Sequence, residues 1–137
     1  SYWWHMKVST AIELLNFIAQ CRRSAGINAA MLASSANVSM KFLSQLENGK
    51  ETVEVDSLLK VAHALGLNIP VLFDPVQTGA IVSAKRKVLG LDQITAAALC
   101  NVSPRYFSAI ENGKPRKRLN KLFDVLNAFG IDVEVMK

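Results

Sequence analysis

No apolar run in this sequence approaches the roughly 18 residues that a membrane-spanning helix needs, and no signal peptide is recognisable. A cytoplasmic protein with no membrane partner is the expectation. Cysteine is scarce: Cys21 and Cys100 are the two present, both inside apolar helical patterns. Two such thiols fit a reducing compartment and read as core filler rather than as a disulfide. Histidine is scarcer still in the part that counts. Ser1 to His5 precede Met6, and His-Met is a common cloning junction, so Met6 is the expected native start and residues 1–5 are set aside. That leaves His63, which lies in a helical stretch far from the capping serines Ser39 and Ser103. No Cys/His spacing suits a metal, and no glycine-rich loop suits a phosphate. Neither an enzyme nor a metal or cofactor is therefore expected.

Acidic residues are in short supply in one half only. Residues 1–78 carry six Lys/Arg and six Asp/Glu, whereas residues 79–137 carry ten and five, so the net charge of +5 lies wholly in the second half. The clusters Lys85-Arg86-Lys87 and Lys114, Arg116-Lys117-Arg118 supply most of it. Such electropositive clustering marks where a polyanion would sit.

What the chain does contain is the same unit twice. Residues 22–69 realign on 86–133 at a constant offset of 64, without a gap. Asn37-Val38-Ser39 falls on Asn101-Val102-Ser103, and Glu47-Asn48-Gly49-Lys50 on Glu111-Asn112-Gly113-Lys114. A repeat of this length is a domain rather than a solenoid element, which runs about 20–50 residues. Domains of about 60 residues are marginal alone, so the copies are expected to pack on each other.

Each copy reads as four helices. The first spans about Ser9–Arg23 in copy one, with a capping box at Thr10-Ala11-Ile12-Glu13, and a shorter Ala80–Leu89 in copy two. The second is capped by Asn28 or Asp92 and carries Ala33 or Ala97, small enough for another helix to approach closely. Asn37 and Asn101 suit a left-handed turn, and Ser39 and Ser103 suit the N-cap of the third helix, where Pro104 takes the first position. Gly49 and Gly113 stop that helix, and a fourth follows over about Val55–Leu65 or Leu119–Phe129. Helix, tight turn and helix in this order make a helix-turn-helix unit, whose second helix enters the major groove of DNA.

Over these residues the chain resembles the Cro and lambda-repressor-like (XRE) regulators. The resemblance implies a mainly all-α fold: two tandem lambda-repressor-like helix-turn-helix domains, 6–73 (degenerate) and 80–137 (the main reader), joined by a linker, 74–79. Short β-rich tails, Asn68–Phe73 and Ile131–Met136, are expected to follow the last helix of each copy. Through Leu119 to Val135 the second copy is similar to Hip-type antitoxins, in which such a strand pairs across a dimer. Here the two tails are expected to pair with each other, giving an intrachain pseudo-dimer; a homodimer is the other assembly left open.

The same resemblance assigns roles. Arg22 with Glu47, and Arg86 with Glu111, match a structural ion pair between the first helix and the end of the third. Gln93 matches a phosphate-contacting glutamine, and copy one has Ala29 there. Arg105 stands where a bidentate contact to guanine is available, with Ser103, Tyr106 and Ser108 on or beside the same face and Lys114, Arg116, Lys117 and Arg118 along the backbone path. In copy one the matching residues are Lys41, Phe42, Ser44 and Lys50, with Met40 in front and Gln45 one step along. The implied function is sequence-specific binding of operator DNA by a repressor or autoregulator. An antitoxin that neutralises a toxin protein, with DNA binding secondary, is the alternative.

Overall fold

The computed structural model describes residues 5–114 and 117–137. In chain order they form β1 (His5–Val8), α1 (Ala11–Ser24), α2 (Ala29–Ala36), α3 (Met40–Glu47), α4 (Val55–Ala64), α5 (Pro70–Phe73), α6 (Pro75–Val88), α7 (Gln93–Leu99), α8 (Pro104–Glu111), α9 (Leu119–Ala128) and β2 (Val133–Met136). The helix ends follow local chemistry. Thr10 Oγ1 accepts from the Glu13 amide and so caps α1, while the Glu13 carboxylate reaches one residue past the cap to accept from the Ser9 amide. Asn28 and Asp92 cap α2 and α7, and Ser39 and Ser103 cap α3 and α8. Asn37 and Asn101 are left-handed, with φ of 57° and 58°.

The helices α1, α3 and α4 recur as α6, α8 and α9 at the same offset of 64, end for end. The structural repeat thus begins earlier than the sequence match. The expected linker over residues 74–79 does not exist as such. Asp74 caps α6 by accepting from the Gln77 amide at 3.0 Å, and Pro75 takes its first position, so helix begins at residue 75 rather than at 80. An Asp-Pro pair, read in the sequence as a linker mark, is here a helix start.

The expected strand at the end of copy one is also corrected. Pro70 has no amide to give a ladder, and it initiates the single turn α5 instead, with the Phe73 and Asp74 amides bonding back to Ile69 and Pro70. The partner of β2 is β1, from the start of the chain: the pair is antiparallel, from His5 opposite Met136 to Val8 opposite Val133. Backbone pairing between the tails is confined to Asn68 and Met136, which exchange two 2.8 Å bonds. Val8, Val133 and Val135 point inward from this ribbon and Lys7 and Glu134 outward, which buries one face of a pair that would be marginal alone.

One apolar core runs through both copies. It includes Leu14, Leu15 and Ile18 of α1, Leu58 and Val61 of α4, and Phe107, Leu119 and Leu126 of the second copy. Phe107 and Phe129 add a tilted ring contact with centroids 6.0 Å apart. The copies join along a short seam. The Val55 amide donates to the Lys117 carbonyl at 2.8 Å, and the Leu119 amide donates to the Val53 carbonyl at 2.9 Å. Each bond is the image of the other at offset 64, and Glu54 and Arg118, which bridge between them, are images too. Reciprocal contact of this kind is what a two-fold interface requires, here made within a single polypeptide. The tail pairing expected to build an intrachain pseudo-dimer does not form, since β2 pairs with β1; the reciprocal bonds between the copies come from the loops before α4 and α9.

Candidate nucleic-acid interface

The recognition helices α3 and α8 each bury two side chains, Leu43 and Leu46 in one and Phe107 and Ile110 in the other. At helical spacing that fixes which residues face out. Met40, Lys41 and Ser44 are exposed on α3, and Pro104 and Arg105 on α8. Gln45 and Ser108 are half-buried, and the Ser44 and Ser108 hydroxyls accept from Asn48 and Asn112 at 3.2 and 3.4 Å. Lys50, Lys114 and Arg118 are exposed at the ends of these helices and the loops beyond. Buried Ala33 and Ala97 let α2 and α7 approach the helices they support.

Both scaffold ion pairs form as the resemblance implies. Arg22 reaches Glu47 through Nε at 2.5 Å and a second nitrogen at 2.9 Å, and Arg86 reaches Glu111 at 2.5 and 3.1 Å. A third donor on each arginine holds the carbonyl of Ile27 or Leu91 at 2.8 Å. One guanidinium thus ties the first helix, the next turn and the end of the recognition helix together, a use of its rigid fork that lysine does not reproduce.

Gln93 belongs to this scaffold as well. Its Nε2 donates to Glu111 Oε1 at 2.8 Å, leaving the other amide hydrogen and the oxygen for further bonds. Burial pushes the Glu111 carboxyl up, but the bonds from Arg86 and Gln93 outweigh it and hold the group below its ordinary value of 4.5. A depressed folded value means stability that is present above pH 4.5 and lost as pH falls through the folded value. Thermal melts between pH 7 and about pH 3 should therefore fall less steeply for Glu111→Gln than for the parent chain. Parallel curves would remove Glu111 as the acid-sensitive group.

Four expected site residues are placed differently from the sequence reading or lie outside the described residues. Tyr106 turns inward: its hydroxyl donates to the Arg118 carbonyl at 3.3 Å, and burial raises the phenol well above its usual value. It positions α8 against the seam. Lys117, expected as an exposed cation, is only 9% exposed and sits in the seam. Arg116 lies outside the described residues. Ser103 spends its side-chain oxygen on the Tyr106 amide at 3.1 Å, so capping accounts for it.

The sequence reading missed Gly79, assigned there to a linker. It is buried in α6, where a β-carbon would come within 2.3 Å of the Ile110 carbonyl of α8. Extending the repeat upstream exposes the signal, because Asp74-Pro75 then falls on the cap Thr10-Ala11 and Gly79 falls on Leu15. Among the described residues no group of three or more His, Cys, Asp or Glu could hold a metal, and no helix is long and apolar enough to cross a membrane.

Two four-helix units, each with a left-handed asparagine turn, a serine-capped outward helix and an arginine–glutamate brace, define a tandem helix-turn-helix protein of the XRE type. The helix-turn-helix family model matches residues 18–72 and again 82–136, and the chain belongs to that family. It is also similar to a protein of Sinorhizobium fredii (strain NBRC 101917 / NGR234) called an uncharacterized HTH-type transcriptional regulator, y4mF. The two are 31% identical over 62 residues, 45% of this chain and 82% of that protein.

Proposed function

We propose that the chain is a cytoplasmic, sequence-specific regulator that binds double-stranded DNA and represses transcription, its own included, by occupying a promoter. The observation that carries this is the pseudo-two-fold seam, which relates two outward recognition helices bearing Lys41 and Arg105 at image positions. A two-fold reader matches the symmetry of an operator built from two half-sites. The halves are unequal. Arg105 suits a bidentate guanine contact, whereas copy one offers Lys41 and the half-buried Gln45. Lys50, Lys114 and Arg118 then meet phosphates, and Gln93 joins them through its remaining amide hydrogen.

The test is a salt-titrated binding assay on genomic fragments flanking the gene. Arg105→Ala should lower specific affinity about 10- to 100-fold, the loss of one bidentate base contact. Lys41→Ala should cost less, and Lys114→Ala should weaken all sequences alike while reducing the salt slope by about one. Weak binding indifferent to sequence and to all three changes would overturn the proposal.

A second reading, an antitoxin that neutralises a toxin partner, is favoured by one surface. Val88, Leu89, Ile94 and Leu99 are well exposed on copy two, Val88 at 86%, where copy one carries Ser24, Ala25, Ala30 and Ser35. Co-expression with the product of the adjacent gene, followed by light scattering on the purified protein, decides it: a defined complex supports this reading, and a chain that purifies alone opposes it.

A further inference from the structure

One face of α6 is exposed, and its chemistry differs from that of its image in copy one. Gly79 and Arg86 lie on the side toward α8, the first against the Ile110 carbonyl and the second bonded to Glu111. At about 100° per residue, Ile81, Ala84 and Val88 fall on the opposite side. All three are exposed, Val88 at 86%. In copy one the same line is polar: Gln20 and Ser24 are the images of Ala84 and Val88, and Asn16 is that of Ala80. The hollow beside α1 is lined by Glu13, Asn16 and Gln20, with Met6 of β1 and Lys137 against it. The hollow beside α6 is an open groove lined by Ala84, Lys85, Val88, Leu89, Ala128 and Phe129, the last two at the end of α9.

None of these exchanges serves the core, because Ala80, Ala84 and Val88 are all exposed. Contiguous apolar surface with a charged rim marks a contact surface. The walls decide what fits it. Both are helices, so the groove has no strand edge to extend, and the small side chains of Ala84 and Ala128 let another helix lie close. Among the described residues Lys85 is the charged member of the lining, where copy one has Cys21. Its Nζ donates to the Phe129 carbonyl at 3.3 Å, which uses one of three ammonium hydrogens. A purely apolar helix laid over that ammonium would bury it at a cost, whereas a carboxylate on the covering helix bonds it. The acids of α9 and the turn after it act elsewhere, Asp124 on Cys100 and Tyr106, and Asp132 on Lys7 at 3.5 Å. The α6 segment holds no acid at all.

We propose that this groove docks an acidic amphipathic helix of a partner protein, with its apolar stripe on Ala84, Val88 and Leu89 and a carboxylate on Lys85. The exposed line from Ile81 to Val88 runs about 10 Å, so about three turns of helix cover it. A second copy of the chain is the poorer occupant. Packing α6 on its own image supplies no carboxylate and sets Lys85 toward Lys85, a like-charge contact that an interface selects against. Because the groove lies on the side of α6 away from α8, a docked helix leaves the recognition helix clear. The site shares Val88 and Leu89 with the surface that favours the toxin reading, yet any protein bearing such a helix qualifies.

The test is selection of displayed, randomised helical peptides of about 15 residues on the full chain. Counter-selection uses the double variant Ala84→Gln, Val88→Ser, which installs the copy-one residues. Enriched peptides should carry apolar residues at i, i+4 and i+7 and a net negative charge. The best of them should bind the parent at least about tenfold more tightly than either the double variant or Lys85→Gln. Circular dichroism confirms folding; if the double variant does not fold, Lys85→Gln and the charge of the enriched peptides still decide. No peptide that distinguishes the parent from the variants, or enrichment without an acidic bias, would overturn the site. A dimer of the chain alone that the double variant dissolves in sedimentation would give the face to a second copy instead. Flotation with phosphatidylserine vesicles, lost in the double variant, would give it to a membrane; either result overturns the proposal. The double variant should also hold DNA as the parent does, and a selective loss would place the groove on the DNA face and overturn it too. Failure of the parent to bind any DNA counts against the proposed function, failure to co-purify with the adjacent gene product counts against the toxin reading, and the peptide selection judges the groove in both cases.

Discussion

Gly79→Leu should lower stability by about 3 kcal/mol or more, or prevent folding, although leucine is the residue that copy one carries at the image position. A β-carbon at residue 79 would stand 2.3 Å from the Ile110 carbonyl oxygen and 2.7 Å from that of Glu111. Both are backbone atoms of the last turn of α8, so relief requires moving the recognition helix rather than rotating a side chain. The same approach is visible from the other partner: a β-carbon on Gly113 would meet the Val76 Cα at 2.9 Å, whereas the image Gly49 has open space. Copy two therefore seats α6 more closely on α8 than copy one seats α1 on α3, where fully buried Leu15 fills the gap. Gly79→Ala is the milder probe. Overpacking costs it about 1–3 kcal/mol, against about 1 kcal/mol gained from alanine's helix propensity. For a chain of this size about 3 kcal/mol corresponds to a fall in Tm on the order of 10 °C, readable by circular dichroism. DNA affinity should fall with it, since the displaced element is the proposed reader. A Gly79→Leu chain melting within about 2 °C of the parent would show that the helices separate at no cost.

The features legible in the sequence are those that one or two residues decide. Asparagine alone permits the left-handed turn at 37 and 101, serine alone caps the helices that follow, and the arginine–glutamate braces repeat at an unchanged separation of 25 residues. Where two physical readings compete for the same residues, the sequence is silent. Pro70 is compatible with a strand edge or with the first turn of a helix, and the empty space beside β2, filled by β1, is what decides between them. Residue 5 takes part in that strand, although it was set aside with the segment before Met6. Gly79 and Pro75 look like linker residues until the opposing helix is known. Lys117 shows the same limit at the site itself: a run of basic residues predicts a solvated cationic rim, and only the seam bond from Val55 to its carbonyl reveals that one of them is drawn inside.

Inserting about five base pairs between the two half-sites of an operator should weaken binding about 100-fold or more, down to the level of one reading head. The gain from a second head depends on its effective concentration at the second half-site, commonly worth about 10²- to 10⁴-fold, and it vanishes when geometry forbids both contacts at once. Geometry here is stiff. Asp74 is the one residue between α5 and α6, and it is itself the cap of α6, so no flexible linker separates the copies. The paired bonds at Val55 and Leu119, the Glu54–Arg118 bridge and a shared core hold them in register. A half-turn insertion rotates one half-site to the far face of the duplex, out of reach of a rigid pair. Even a full-turn insertion of about ten base pairs, which restores the face, moves that half-site about 34 Å along the axis, and it should restore little. Tolerance of both insertions would mean that the copies move independently or that copy two reads alone. Lys41→Ala separates those outcomes: it should weaken binding to the original spacing if both heads engage, and leave affinity unchanged if copy two is the sole reader.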